Sequence, residues 1–225
     1  MTLPTYAYPL KRFADEIVAW NAAAGKFPGE RDATLEELLN QEARVIEELK
    51  ELIHAMAHND LTETLDAVCD IFVTASYYLA LAKNTSVRIE ECVVPPAALA
   101  SVEVQLDALA SKIELLPERS LEQMRNNSLI VESLELSLAL VRDLPVDFLG
   151  AQQAVNANNA SKYVTSEVVA NESVAHYASK GEAVVAHASS YLGSPVFVLK
   201  RTSDDKIMKP VGFVGVDLAP FIYAE

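Results

Sequence analysis

Apolar residues recur every three or four positions along most of the chain, which is the period of an amphipathic helix. Leu38, Val45 and Leu49 lie on one such stripe, and Leu65 and Phe72 lie on the next. No glycine occurs between positions 29 and 150, as expected for long helices, because glycine weakens a helix interior. The pattern predicts helices over seven segments: 8–24, 34–57, 60–83, 97–116, 120–143, 147–158 and 165–180.

The second and third predicted helices have local signals at their ends. Thr34 and Glu37 have the spacing of a capping box at the start of 34–57. The short polar joint His58-Asn59-Asp60 separates this helix from the next. A joint of this length turns the chain back on itself, so we expect the two helices to form an antiparallel pair.

The hydrophobic pattern changes after Gly181. Segments 195–200 and 206–209, separated by the polar segment 201–205, predict a β-hairpin, and a further strand is expected near 184–187. The sequence therefore predicts a mainly α protein, a helical bundle with an antiparallel helix pair and a small C-terminal β-hairpin. We expect an all-α domain over 1–160 and a C-terminal helix with the hairpin over 161–225.

Composition and charge argue against several classes of partner and location. The chain has 225 residues, of which 51% are hydrophobic, enough to bury a core, and its net charge is −14. Such acidity argues against nucleic-acid and anionic-membrane partners. We also expect no membrane span, because the longest uninterrupted apolar run is too short, and no secretion, because the first residues do not have the pattern of a secretion signal. Two cysteines outside any Cys-x-x-Cys pattern are expected to be reduced, so we predict a cytoplasmic protein.

Acidic residues concentrate on the predicted helix pair, spaced three or four apart so that they share helical faces. Facing carboxylates repel one another unless cations lie between them, and Mg²⁺ prefers such oxygen ligands. The sequence therefore predicts a metal site in which Mn²⁺ can replace Mg²⁺. The candidate residues are Glu47, Glu48 and Glu51 on the first helix and Glu63, Asp66 and Asp70 on the second.

Other interpretations of these residues remain open. Glutamate-rich helix faces are often simply solvated, and Glu63 could belong to a helix cap with Asp60. Asp66 and Asp70 fit that view less well, because aspartate is a poor helix former and both interrupt an apolar helix. Glu51-x-x-His54 also suggests a di-iron bundle, although no second Glu-x-x-His occurs in the chain. A non-catalytic helical interaction protein is the other alternative.

The spacing of these residues resembles a known signature. Glu47-Glu48-x-x-Glu51 followed by Glu63-x-x-Asp66 is similar to the motif of the all-α nucleoside triphosphate pyrophosphohydrolases, the MazG-like and phosphoribosyl-ATP pyrophosphohydrolase-like superfamily. The downstream segments 154–162 and 205–218 resemble the phage-type branch, with its helix ending in Asn-x-Ser-Lys and its Lys-x-x-Lys hairpin. Segment 92–143 has no counterpart in that pattern and is expected to be a helical insertion.

The resemblance implies Mg²⁺-dependent hydrolysis of a nucleoside triphosphate, with either sugar, to the monophosphate and pyrophosphate. It implies Glu48, Glu51, Glu63 and Asp66 as metal ligands and Glu47 as a ligand or as the residue that orients the attacking water. Asp70 is an alternative to Asp66. It further implies a homodimer or homotetramer in a bacterial or infected-host cytoplasm. The expected substrate contacts are Arg44, Asn159, Lys162, Lys206 and Lys209, of which Asn159 could instead cap its helix.

Overall fold

The computed structural model describes residues 4–26, 32–83, 99–114 and 119–223. They form a mainly helical protein with a three-stranded antiparallel sheet near the C-terminus, which confirms the predicted fold class. The helices are α1 Pro4–Ala23, α2 Leu35–Ala57, α3 Leu61–Lys83, α4 Leu99–Glu114, α5 Leu121–Arg125, α6 Ser128–Asp143, α7 Phe148–Ala160 and α8 Glu167–Ser179. The strands are β1 Tyr163–Val164, β2 Val184–Tyr191 and β3 Ser194–Arg201, and a 3₁₀ turn follows at Ala219–Phe221.

The chain divides into two compact units. The first comprises 1–18, 28–153 and 217–225, and the second comprises 19–27 and 154–216. The predicted domain boundary after residue 160 is not tested by this division and stays a prediction. Within the predicted insertion, 92–98 and 115–118 lie outside the described residues.

Helices α2 and α3 form the framework of the first unit. The predicted capping box is present, because the Thr34 hydroxyl accepts a hydrogen bond from the Glu37 amide and the Glu37 carboxylate accepts one from the Thr34 amide. After α2, Asn59 adopts a left-handed conformation with φ 55°, and Asp60 accepts hydrogen bonds from the first amides of α3. The chain therefore reverses within three residues, and the two helices pack along each other.

Leucine, valine and phenylalanine side chains fill the core between α2, α3 and α6. One charged residue lies among them: Glu42 of α2 is 4% exposed. Its carboxylate forms a bidentate ion pair with Arg119 and accepts a hydrogen bond from the side-chain Nδ2 of Asn127. This network links α2 to the segments that flank α5.

The prediction of one continuous helix over 120–143 is wrong, because the chain forms two helices there, α5 and α6. Asn126 ends α5, and the Asn127 side chain accepts a hydrogen bond from the Leu129 amide at the start of α6. Asparagine favours helix ends because its side chain competes for backbone amides. The Asn126-Asn127 pair therefore interrupts an apolar pattern that remains helical on both sides.

The second unit contains the sheet, with strand order β1-β3-β2. Alternate residues of β3 enter two cores: Val196 and Val198 pack with Tyr163 on one face, and Leu199 packs with Ala170 of α8 on the other. The hairpin predicted between 195–200 and 206–209 is present only in part. An antiparallel bridge joins residues 200 and 207, with backbone hydrogen bonds from the Arg201 amide to Lys206 and from the Met208 amide to Leu199, whereas the strand that pairs along the whole of β3 is β2.

The hairpin turn explains this difference. Leu192 and Gly193 connect β2 to β3, and both have positive φ, 48° and 81°. Two such residues match the right-handed twist of paired strands, which makes two-residue loops of this kind the favoured hairpin connection. The strand predicted near 184–187 therefore extends to Tyr191 and becomes the main partner of β3.

Among the described residues, one helical segment, Leu61–Ala82, is long and apolar enough to cross a membrane by length and composition. The most apolar part of it is 78% buried inside the protein, and core helices share this composition. The predicted cytoplasmic location stays a prediction. Within the same helix Cys69 is buried and unpaired, as expected for a reduced thiol, whereas Cys92 lies outside the described residues.

Candidate metal centre

The acidic residues lie on the faces of α2 and α3 that are not fully buried in the core. On α2, Leu49 and Leu52 are buried, whereas Glu47 and Glu51 are exposed and Glu48 is half-buried. The α3 positions follow the same rule. Glu63 is exposed in the first turn, and Asp66 and Asp70 are half-buried further along the helix.

Glu48 lies in the field of carboxylates from both helices. Burial is the largest influence and, together with the charges of Asp70, Glu51, Glu47 and Asp66, raises the pKa of Glu48 from 4.5 to about 8. Glu47 and Glu51 belong to the same helix, but Asp66 and Asp70 belong to α3. The two acidic faces are therefore close enough for their charges to act across the helix pair.

Asp66 reports the same arrangement from the other helix. Burial raises the pKa of Asp66, and the carboxylates of Glu63 and Glu51 raise it further. The thiol of Cys69, on the same helix, is affected by the same charges. Burial is the largest cause that raises its pKa well above the usual value, and the charges of Asp70 and Asp66 raise it further. The charge of Glu51 thus raises the pKa of two of the three half-buried acids, Glu48 and Asp66.

The arrangement is a repulsive cluster and not a preformed cage. In the part of the chain that the structure describes, no group of three or more histidine, cysteine, aspartate or glutamate side chains is arranged to hold a metal ion. Mg²⁺ usually retains several waters and needs only one or two protein carboxylates. The donor chemistry therefore fits Mg²⁺ or Mn²⁺, and the six acidic residues stay candidates for holding it.

Sequence reasoning did not distinguish Glu48 from its neighbours by environment. Burial and the charges of nearby carboxylates raise the pKa of Glu48 to about 8. Its position next to Leu49 in the apolar stripe was the available signal, because a residue at the edge of a buried stripe is partly desolvated. Asp66 and Asp70 both raise the pKa of Glu48, so both stay candidate ligands.

Three of the predicted substrate contacts come together in the second unit. The Lys162 ammonium donates a hydrogen bond to Oδ1 of Asn159 at 2.7 Å and lies 6.0 Å from the centre of the Phe213 ring. The Lys209 ammonium lies 5.2 Å from the same ring. Two lysines that are 47 positions apart in the sequence therefore share one aromatic side chain.

The aromatic residues of this cluster were not predicted as site residues. The Trp20 ring has its centre 5.5 Å from the Lys162 ammonium and stacks on Tyr163. Phe213 follows the Lys-Pro-Val-Gly segment and had no periodic signal of its own. Cation–π contacts of this kind depend on tertiary structure, so spacing along the chain cannot reveal them.

The two other predicted contacts are exposed. Lys206 lies in the loop after β3, where its amide donates to Asp204 and its carbonyl accepts from Arg201. Arg44 is exposed on α2, one turn before Glu48. Their roles in substrate binding stay predictions.

The chain was compared with protein-family models, curated proteins and solved structures. None of the three comparisons finds a match. The resemblance to the pyrophosphohydrolase superfamily therefore rests on the motif residues themselves.

Proposed function

We propose that this protein is a Mg²⁺-dependent nucleoside triphosphate pyrophosphohydrolase, which converts a nucleoside or deoxynucleoside triphosphate and water to the monophosphate and pyrophosphate. The observation that carries the proposal is that the packed helices α2 and α3 present half-buried carboxylates to each other, Glu48 on α2 and Asp66 and Asp70 on α3, and that these charges add to burial in raising the pKa of Glu48. An acidic face that served only solubility would gain nothing from opposing a second acidic face. The order of the acidic motif along the sequence supports the same function.

The proposal assigns the carboxylates to two roles. Glu48, Glu51, Glu63 and Asp66 or Asp70 would hold the cation. Bound there, Mg²⁺ would supply positive charge that offsets the phosphate oxygens and the departing pyrophosphate. Glu47, which is exposed beside them, would hold a water in line with the α-phosphate or act as a further ligand.

The proposal assigns binding of the triphosphate oxygens to the predicted lysines and their neighbouring polar groups. Lys162 and Lys209 offer ammonium donors suited to phosphate oxygens, and Asn159 orients Lys162 through its hydrogen bond. Lys206 and Arg44 are exposed cations and stay candidates for the same task. Bare carboxylates repel a triphosphate, so the proposal requires cations that offset the negative charge.

The proposal is tested by measuring pyrophosphate and monophosphate release from a panel of ribonucleoside and deoxyribonucleoside triphosphates in Mg²⁺. We expect Glu51→Gln and Asp66→Asn each to lower turnover by at least about 100-fold. Loss of a residue that only supports a metal ligand lowers activity by up to about 100-fold, and loss of a ligand itself should lower it at least as much. Both variants should remain folded, because losing one carboxylate relieves repulsion. Glu122→Gln, at an exposed glutamate of α5, is the matched control and should retain activity.

Normal hydrolysis by both variants would show that the site is wrongly assigned. Absence of pyrophosphate release from every triphosphate, together with no thermal stabilisation specific to Mg²⁺ or Mn²⁺, would favour the non-catalytic interaction protein. The lack of a preformed three-ligand group in the described residues is the observation that favours that alternative. Iron binding with visible absorption would instead support a di-iron bundle.

A further inference from the structure

Two histidines lie next to each other at the C-terminal end of α2. His54 and His58 are four residues apart, and both are exposed. Their ring centroids are 4.2 Å apart, with a tilt of 39° between the ring planes. Spacing of four places two side chains on one helical face, and a helical pair of this kind is a known arrangement for binding one metal ion.

A hydrogen bond sets which ring nitrogen of His58 faces outward as a ligand. Nδ1 of His58 lies 2.8 Å from the carbonyl oxygen of His54. Since a carbonyl can only accept, Nδ1 carries the hydrogen, and Nε2 of the neutral ring keeps its lone pair. Metal-binding histidines commonly have this arrangement, in which one nitrogen donates to a carbonyl and the other binds the ion.

The ring separation fits one shared ion. Imidazole nitrogens bind Zn²⁺ and similar ions at about 2.0–2.1 Å, so two rings at neighbouring positions of one ion have centroids about 4.5 to 5 Å apart. The observed 4.2 Å is close to that range. Small side-chain rotations are enough to reach it, and exposed side chains make such rotations freely.

We propose that His54 and His58 form a surface site for a borderline divalent transition ion, such as Zn²⁺, Ni²⁺ or Cu²⁺. Imidazole suits these ions, whereas Mg²⁺ prefers carboxylate and water. Among the described residues no group of three such side chains is arranged to hold a metal ion, so we expect water to complete the coordination at the two histidines. The net charge of −14 favours cation binding in general. The proposal does not depend on the enzymatic function.

Binding should stabilise α2. The ion joins two side chains across the last helical turn and brings positive charge to the helix C-terminus, where the helix dipole favours cations. An ion that binds only the folded chain also raises the unfolding temperature by mass action. Ni²⁺ or Zn²⁺ should therefore raise the melting temperature through the histidines, separately from any effect of Mg²⁺ on the carboxylates.

The test is calorimetric titration of the untagged full-length chain with Ni²⁺ in excess Mg²⁺. We expect one Ni²⁺ per chain in a site that Mg²⁺ does not displace. His54→Gln and His58→Gln should each weaken binding by about 100-fold, because two linked ligands gain roughly that much from effective concentration. Both should also lose the Ni²⁺-dependent rise in melting temperature. His187→Gln, at an exposed histidine of β2, is the control and should bind like the parent.

A second variant separates this site from the acidic cluster. The double variant Glu51→Gln with Asp66→Asn should retain Ni²⁺ binding if the histidines hold the ion, and loss of binding there would place the ion on the carboxylates and overturn the proposal. Unchanged affinity in His54→Gln and His58→Gln would also overturn it, as would an equal loss in His187→Gln. Circular dichroism of each variant checks that the helices are intact.

Discussion

Replacing Glu48 with glutamine should make the metal-free protein more stable at high pH but not at low pH. Glu48 has a pKa of about 8 in the folded protein against a usual value of 4.5. The folded state therefore holds a proton on Glu48 that the unfolded state releases between these two pH values. Because the folded state binds more protons, the stability contributed by this group falls as pH rises through that interval.

The magnitude follows from the same two values. Each unit of difference between the folded and unfolded pKa is worth about 1.4 kcal/mol. An unscreened group with the pKa values of Glu48 would therefore change the free energy of unfolding by about 5 kcal/mol. Glu48 is only half-buried and Glu47 and Glu51 are exposed, so solvent screening reduces the effect. We expect about 2 kcal/mol, or roughly 4–8 °C in melting temperature for a chain of this size.

Urea unfolding in EDTA at pH 4 and pH 9 measures this difference directly. At pH 4, below the usual pKa of 4.5, Glu48 is largely protonated in both the folded and the unfolded state and glutamine is a neutral mimic, so parent and Glu48→Gln should have nearly equal stability. At pH 9 the variant should be more stable by about 2 kcal/mol, and Glu122→Gln should show no such gain. An equal difference at both pH values, or a less stable variant at pH 9, would refute the reasoning that carboxylates of α2 and α3 crowd Glu48.

Two further predictions concern the framework around the site. Glu42→Ala should lower the free energy of unfolding in urea by about 3–5 kcal/mol, because it leaves Arg119 without the carboxylate that pairs with it. A loss below about 1 kcal/mol would show that water replaces the lost carboxylate as the partner of Arg119. Gly193→Ala should cost about 1–2 kcal/mol, since φ is 81° at that position. Gly215→Ala, which also has open space around the added methyl group, is its control, and equal effects of the two substitutions would contradict the role of the turn.

Much of the acidic site was predictable because it depends on local spacing. The capping box at Thr34 and the short joint before Asp60 determine where α2 and α3 begin and end. Residues three or four apart on a helix share a face whatever the rest of the fold is. Glu48 and Asp66 could therefore be proposed as neighbours once the two helices were expected to pair.

The sequence by itself thus determined the helical class, the paired helices and the acidic faces they carry. Tertiary structure alone decided that β3 pairs with β2, that burial and like charge raise the pKa of Glu48 to about 8, and that Lys162 and Lys209 share Phe213. The physical reason is range. Helical periodicity and caps act over a few residues, whereas strand register, desolvation and ring contacts depend on groups that are distant in the sequence and become neighbours only when the core has formed.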